Sequence, residues 1–351
     1  MSMNIYLNWL ALAWLMSFAA CGVADKPKEP IFQVAFGSCA HQDKPQPMLR
    51  VAAALSPDAF VFLGDNIYGD TRDMDTLRAK YRRLSAKPEF RALKERVPLY
   101  AVWDDHDYGE NDAGRHYPFK EASKDIFMDF WEVPAQSPRR GRPGIYGMEW
   151  IEKEGLRVQL LLLDTRTFRD GLLRREPTDT LHFKNDYRPN GSPDSTFLGE
   201  AQWAWLETAL SLPADLRVIA SSNQFSHTYN GWESWNNVPH ERARMLETIR
   251  KTGAEGVVFI SGDVHWGEIS RQPVPVAYPI YDVTSSGITE TWPKIEPNAN
   301  RVGEAVPENN IGLISVQAGA TPTLTLSLIG STGQARSEVV VPLDELSFKT
   351  E

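Results

Sequence analysis

Three short stretches of the chain gather ligand-type side chains more densely than an exposed loop needs. In Trp103-Asp104-Asp105-His106-Asp107-Tyr108-Gly109-Glu110-Asn111-Asp112, five carboxylates surround one imidazole. Such crowding is costly unless cations neutralise it, and the Trp and the apolar run before it mark a packed setting. His106 flanked by Asp107 has the arrangement of an oriented general acid or base. In Ser261-Gly262-Asp263-Val264-His265-Trp266-Gly267, Asp263 and His265 stand two apart at a strand end, so both can point into one site. Gly64-Asp65-Asn66-Ile67-Tyr68-Gly69-Asp70 sets a carboxylate and a phenol three residues apart. It lacks the alternating acids and later Glu of an EF-hand loop. Taken singly, each stretch also reads as a solvated acidic turn, Asn223 as a turn cap and Cys39 as a small buried hydrophobe.

Their placement on the expected elements joins them. Apolar runs at 32–36, 59–63, 99–103, 216–220 and 257–260 read as buried strands, and each delivers a polar residue of ligand type just past its carboxyl end. Strand carboxyl ends are where α/β sheets build their sites. Amphipathic helices are expected at 73–84, 122–131, 198–210 and 240–251. A hairpin or strand pair is expected at 144–150 and 157–163 around a turn at 152–155, and a closing antiparallel meander at 311–317, 324–328 and 337–341. The polar stretch 172–195 reads as an excursion at the cleft rim.

In chain order, the set resembles the calcineurin-like metallophosphoesterase pattern, and its variants are similar to the PhoD-like alkaline phosphatases. The common superfamily motifs are D-x-H, G-D, G-N-H-D/E, a lone His and G-H-x-H. The matching positions here hold Gly37-Ser38-Cys39, Gly64-Asp65 with Tyr68, Asp105-His106-Asp107, Asn223 and Gly262-Asp263-Val264-His265. Trp103-Asp104-Asp105-His106 is the most specific signature; Leu163-Asp164-Thr165-Arg166 and Thr284-Ser285-Ser286-Gly287 also look like that family. The resemblance implies an α/β fold, a four-layer α-β-β-α metallophosphoesterase sandwich over 31–346, followed by a tail at 347–351. It further implies a first metal site of Cys39, Asp65, Tyr68 and His265 and a second of Asp65, Asp105, Asn223 and Asp263, with Asp65 bridging. The implied activity is hydrolysis of phosphate monoesters, and of diesters as well, by a hydroxide that the metal pair activates. His106, oriented by Asp107, would protonate the leaving oxygen or bind a nonbridging one. Arg166 would hold the phosphate or form a structural salt bridge. Larger family members carry an N-terminal β-sandwich module, for which 25–31 leaves no room, and no C-terminal helix is legible after Leu346.

Ligand type bears on the ions. A thiolate, a phenolate, an imidazole and a carboxylate suit zinc or iron, and Tyr68 together with the resemblance favours Fe3+ in the first site, with Zn2+ the second choice. The second site has only oxygen donors if Asn223 binds through its carbonyl, which favours a hard cation; a loose cage and the resemblance favour Ca2+.

A net charge of -9 over 351 residues with no basic stripe argues against a nucleic-acid-binding module, whereas bound cations would let an acidic chain handle a phosphate-ester substrate. The apolar run 9–20 fits a signal-peptide core and is short for a membrane span. A leader at 1–24, followed by a linker at 25–30, implies export to the periplasm. Ala19-Ala20-Cys21-Gly22 resembles a lipobox, so membrane attachment through a lipidated Cys21 is the alternative to plain cleavage after Ala24. Cys39 would then be the only mature thiol, without a disulfide partner, and the chain is expected to act as a monomer. Two other readings compete: a phosphodiesterase or phospholipase-D-like enzyme acting on lipid headgroups or exported polymers, and a metal- or phosphate-binding surface lipoprotein without turnover. His106 beside Asp105 speaks against the last, since binding alone needs no acid there.

Overall fold

The computed structural model describes residues 29–176 and 187–348. The chain opens with β1 (Phe32–Gly37), α1 (Pro47–Leu55), β2 (Ala59–Leu63), α2 (Met74–Ala86), α3 (Pro88–Lys94) and β3 (Leu99–Val102). Next come the short α4 (Asp105–Tyr108), α5 (Lys120–Phe130), α6 (Pro138–Gly141), β4 (Gly147–Lys153), β5 (Leu156–Leu162), β6 (Leu173–Arg174) and β7 (Tyr187–Arg188). These lead into α7 (Gly199–Leu210), β8 (Leu216–Ala220), α8 (Pro239–Thr252), β9 (Val257–Ser261), β10 (Gly267–Gln272), β11 (Ile280–Ser285) and β12 (Arg301–Val306). The meander β13 (Asn310–Gln317), β14 (Thr323–Gly330) and β15 (Ala335–Pro342) closes the fold.

The strands form two large sheets, ordered β15-β14-β13-β1-β2-β3 and β12-β10-β11-β9-β8-β5-β4. β1, β2 and β3 pair in parallel, as do β5, β8, β9 and β11. Every residue of β2, β8 and β9 is buried, which explains why their sequences are apolar but for Arg217 and Ser261: a parallel strand covered on both faces has no polar side to show. The sheets face each other, with β11 against β1, β13 and β14, and β10 against β13 and β14. Helices α1, α2 and α3 lie in the crossovers of one sheet and α7 and α8 in those of the other, giving the expected four layers around one apolar core.

Local signals account for the helix limits. Asp73 caps α2 by accepting from Asp75 N at 3.1 Å, and Leu77, Tyr81 and Leu84 form its buried stripe. Pro239 begins α8 and Gly253, at φ 65°, ends it. The hairpin turns at Glu154 (φ 52°) and Gly155 (φ 82°), a left-handed pair suited to a two-residue β-turn. β10, β11 and β12 were not foreseen, nor were α1 and α3. Tyr187, within the excursion expected at the rim, does reach the cavity described below. The expected leader and Cys21 lie outside the described residues. Among the described residues no helix is long and apolar enough to cross a membrane.

Candidate metal centre

Six of the seven expected ligands stand just beyond the carboxyl end of a strand, Cys39 after β1, Asp65 after β2, Asp105 after β3, Asn223 after β8, and Asp263 and His265 after β9, and Tyr68 follows on the loop after Asp65. Two parallel strand sets on facing sheets therefore converge on one place. The backbone turns abruptly there, with φ at 62° for Cys39, 50° for Asp65, 74° for Asp263 and 65° for His265. Left-handed geometry in non-glycine residues costs about 1–3 kcal/mol each and persists only where the surroundings enforce it. The loops enforce it on one another. Cys39 N donates to Gly64 O at 3.3 Å, Ala40 N to Asp65 O at 2.8 Å, Ser38 N to Ser285 O at 3.1 Å and Gly262 N to Ser222 O at 2.9 Å.

Donor atoms of Cys39, Asp65 and His265 lie within 4.8 Å of one another. The Tyr68 hydroxyl is 3.2 Å from His265 Nε2, so the structure brings the four first-site residues together. The Tyr68 ring lies between His41 (4.8 Å between centroids) and His106 (4.3 Å). Burial pushes the Cys39 thiol up to about 12, against the lowering effect of the Ser286 and Ser38 hydroxyls. Burial likewise drives Tyr68 well above its ordinary value and His265 below its own.

Asp65, Asp104, Asp105 and Asp263 form an overlapping group, again within 4.8 Å. Burial holds Asp65 and Asp263 well above the usual carboxylate range. Asp105 is buried too, yet the charges of His106 and Arg166 and the Asp112 amide hold it below that range. Buried oxygens Oδ1 of Asp65, Oδ1 of Asp105 and Oδ1 of Asn223, with the Asn223 amide nitrogen, have no hydrogen-bond partner among the described residues. A buried polar atom without a partner costs about 1–3 kcal/mol. Several converging carboxylate and amide oxygens of this kind fit a cation, and the softer Cys39, Tyr68 and His265 set fits a second one. Asp104 was not expected as a ligand; its Oδ1 accepts from Arg166 Nε at 2.5 Å while its Oδ2 is unpartnered.

Two residues stand elsewhere than their sequence neighbours suggested. Asp107 does not orient His106. Its carboxylate accepts from Asn66 N, Asp104 N and the Tyr81 hydroxyl, each at 3.1 Å, capping the first turn of α4. The partner of His106 is Asp70, whose Oδ1 lies 2.7 Å from His106 Nδ1. Burial opposes charge on this imidazole, but Asp65, Asp105 and Asp70 prevail and raise it to about 11. Arg166 cannot reach a phosphate in the cavity. It is fully buried behind the acidic group, pairing with Asp104 and Glu233, and Glu233 also takes Arg169 at 2.7 Å. Of the two roles expected for Arg166, the geometry is that of the structural ion pair. The companion Asp164 is a hub as well, accepting from Trp103 Nε1 at 2.9 Å and Ile145 N at 2.8 Å.

The site opens into a cavity of about 330 Å³ lined by Asp65, Asp105, His106, Asp263 and His265 at its floor, and by Asp112, Tyr187, Trp232, Glu233, Trp266 and Trp292 around them. Asp70 ends the Gly64 to Asp70 string but was not expected to partner His106. Trp232, Glu233 and Trp292 carry no local signal, because only the tertiary fold brings them to the wall.

A sequence model of a family described as PhoD-like phosphatase matches residues 34–291, well over half of the chain. Alkaline phosphatase D of Bacillus subtilis (strain 168) is 26% identical over 212 residues, covering 55% of this chain and 35% of that protein. The matched stretch thus spans about a third of that relative's length. The fold is similar to the solved structure of PhoD, with a TM-score of 0.68, 17% identity, and coverage of 90% of this chain and 69% of the other. It is similar also to a dimetal phosphatase from Danio rerio (TM-score 0.54, 17% identity, 92% and 100% coverage). GAP50, the anchor in the inner membrane complex of Plasmodium, shares it too (TM-score 0.57, 11% identity, 91% and 90% coverage). At such identities the structural likeness shows the fold alone.

Proposed function

Because the chain belongs to the PhoD-like phosphatase family, we propose that it hydrolyses phosphate monoesters, and phosphodiesters as well, at a pair of cations held between its two sheets. The observation that carries this reading is the set of buried, unpartnered oxygens on Asp65, Asp105 and Asn223 beside the Cys39, Asp65 and His265 cluster. Cys39, Asp65, Tyr68 and His265 would hold one ion, with Fe3+ preferred by the thiolate and phenolate. Asp65, Asp105, Asn223 and Asp263 would hold the other, with Ca2+ preferred by the oxygen donors. When bound, the cations supply positive charge that polarises the phosphoryl oxygens and activates water.

The remaining work falls to side chains. His106 lines the cavity, and with Nδ1 committed to Asp70 its Nε2 is the nitrogen left to give a proton to the leaving oxygen. Asp65 and Asp105 help hold the His106 proton; as ligands they would share their charge with a cation, and the proton would then be easier to release. The Arg166 and Glu233 pair fixes Asp104 and the loop carrying Asp105 from behind. Trp266 is 1% exposed and forms a dry wall beside His265. The apolar leader supports work outside the cytoplasm.

The test is an assay of p-nitrophenyl phosphate and bis-p-nitrophenyl phosphate with controlled metal content. Turnover of both esters is expected, with loss on calcium chelation, recovery with calcium but not zinc, and a visible charge-transfer band. A fully metallated protein that hydrolyses neither ester would remove the phosphoesterase reading. A colourless, zinc-only protein fully active after exhaustive calcium removal would remove the choice of ions.

A further inference from the structure

The stretch Thr284-Ser285-Ser286-Gly287 ends β11 directly beneath the first cation site. Ser286 is fully buried and meets two expected ligands that lie far apart in sequence. His265 N donates to Ser286 Oγ at 2.7 Å, and the same oxygen is 3.1 Å from Cys39 Sγ. The Ser286 amide donates to Trp266 O at 3.2 Å, which ties the serine to the β9–β10 turn from its backbone as well. Ser38 is less well placed: its hydroxyl is 3.4 Å from the sulfur, and it also faces Ser285 O and Asp263 N, each at 3.3 Å. The Ser285 hydroxyl points away, donating to Asn310 Oδ1 at 2.8 Å.

A serine hydroxyl has one proton and two lone pairs. In Ser286 the His265 amide occupies a lone pair, so the proton remains for the sulfur. A thiolate can only accept, and the direction of the bond is then fixed: Ser286 donates to Cys39.

We propose that Ser286 is a positioning residue of the first cation site, setting the Cys39 sulfur and the His265 turn in one register and donating a hydrogen bond to the thiolate. The inference rests on the reading of Cys39 and His265 as ligands. Groups behind a ligand orient it and tune its basicity, and removing one typically costs about 10- to 100-fold in metal affinity. A hydrogen bond also draws electron density from sulfur, so its loss makes the thiolate easier to oxidise and moves a thiolate-to-metal charge-transfer band to longer wavelength.

The experiment compares wild type, Ser286→Ala, Ser285→Ala and Cys39→Ser by elemental analysis after chelator competition, by visible spectroscopy, and by thermal unfolding of the metal-free chains. Ser286→Ala is expected to hold the first cation about 10- to 100-fold more weakly, with a red-shifted band and an unchanged second cation. Ser285→Ala, which removes an equally buried hydroxyl one residue away, keeps both ions. A Ser286→Ala chain with wild-type affinity and band, next to a Cys39→Ser chain that has lost the first ion, overturns the inference alone. A Cys39→Ser chain that keeps that ion removes the ligand reading and the inference with it. Should Ser286→Ala fail to fold without metal, Ser286→Thr and Ser286→Val decide the matter, since they differ in the hydroxyl and match in shape. The Thr variant alone should keep the first cation, and equal retention by both overturns the inference.

Discussion

His106 and Asp70 are 36 positions apart in the chain and 2.7 Å apart in the fold, whereas Asp107, the adjacent carboxylate, faces the other way. The reason is helical: α4 begins at Asp105, and consecutive side chains of a helical turn do not face each other. Sequence proximity therefore assigned the wrong acid to His106, although the imidazole itself was legible from the crowd of carboxylates around it. His106→Gln should keep both cations and slow turnover by roughly 10²- to 10⁴-fold; unaltered turnover at verified metal content would remove His106 from the chemistry. Asp70→Asn has a signed outcome in the pH profile. Asp70 helps to raise the His106 pKa, so its removal lets the imidazole lose its proton at lower pH. Since the protonated form is the acid, the alkaline limb of kcat should move to lower pH, and an unmoved limb would contradict the pairing. Asp107→Asn should leave that limb in place.

The strand ends were readable because β2, β8 and β9 are buried along their whole length and, apart from Arg217 and Ser261, carry apolar side chains, while β1 is interrupted only by the half-buried Gln33 and β3 is apolar although its first two residues are half-buried. β10 was not, for a physical reason. Its Glu268 is fully buried and accepts from Gln224 Nε2 at 2.7 Å and Arg301 Nε at 2.6 Å, so the strand carries a polar network into the interior and breaks the pattern that marks strands. The abrupt turns after the strands place their own demand on sequence at Gly64. Its φ is 95°, and a Cβ there would lie 2.5 Å from Asp104 Cβ and 2.8 Å from Asp104 N. Gly64→Ala should cost at least about 1–3 kcal/mol of stability for the backbone alone and weaken both cations, because Asp65 and Asp104 would be pushed apart. Denaturant unfolding of the metal-free chain and metal analysis of the loaded one check this; wild-type values in both would contradict the tight approach of the two loops.

Across the whole molecule, two sheets from distant parts of the chain each supply half of one acidic site, in a protein whose net charge is already -9. The four-layer architecture was legible from the alternation of apolar runs and amphipathic segments, together with the family-like motifs. The acidic wall was not, because Glu233 is held at the cavity by Arg166 and Arg169, a pairing between segments with no shared periodicity. Buried carboxylates with raised proton affinity and oxygens without partners describe a fold that bound cations complete. The most direct measurement is native mass spectrometry with elemental analysis of the purified chain and of Cys39→Ser, Asn223→Ala and Asp65→Ala. Two ions per chain are expected in the wild type, with the first lost in Cys39→Ser, the second lost in Asn223→Ala and both weakened in Asp65→Ala. A wild-type chain that binds no ion after exposure to iron and calcium, or the loss of one and the same ion in Cys39→Ser and Asn223→Ala, would contradict a two-cation centre.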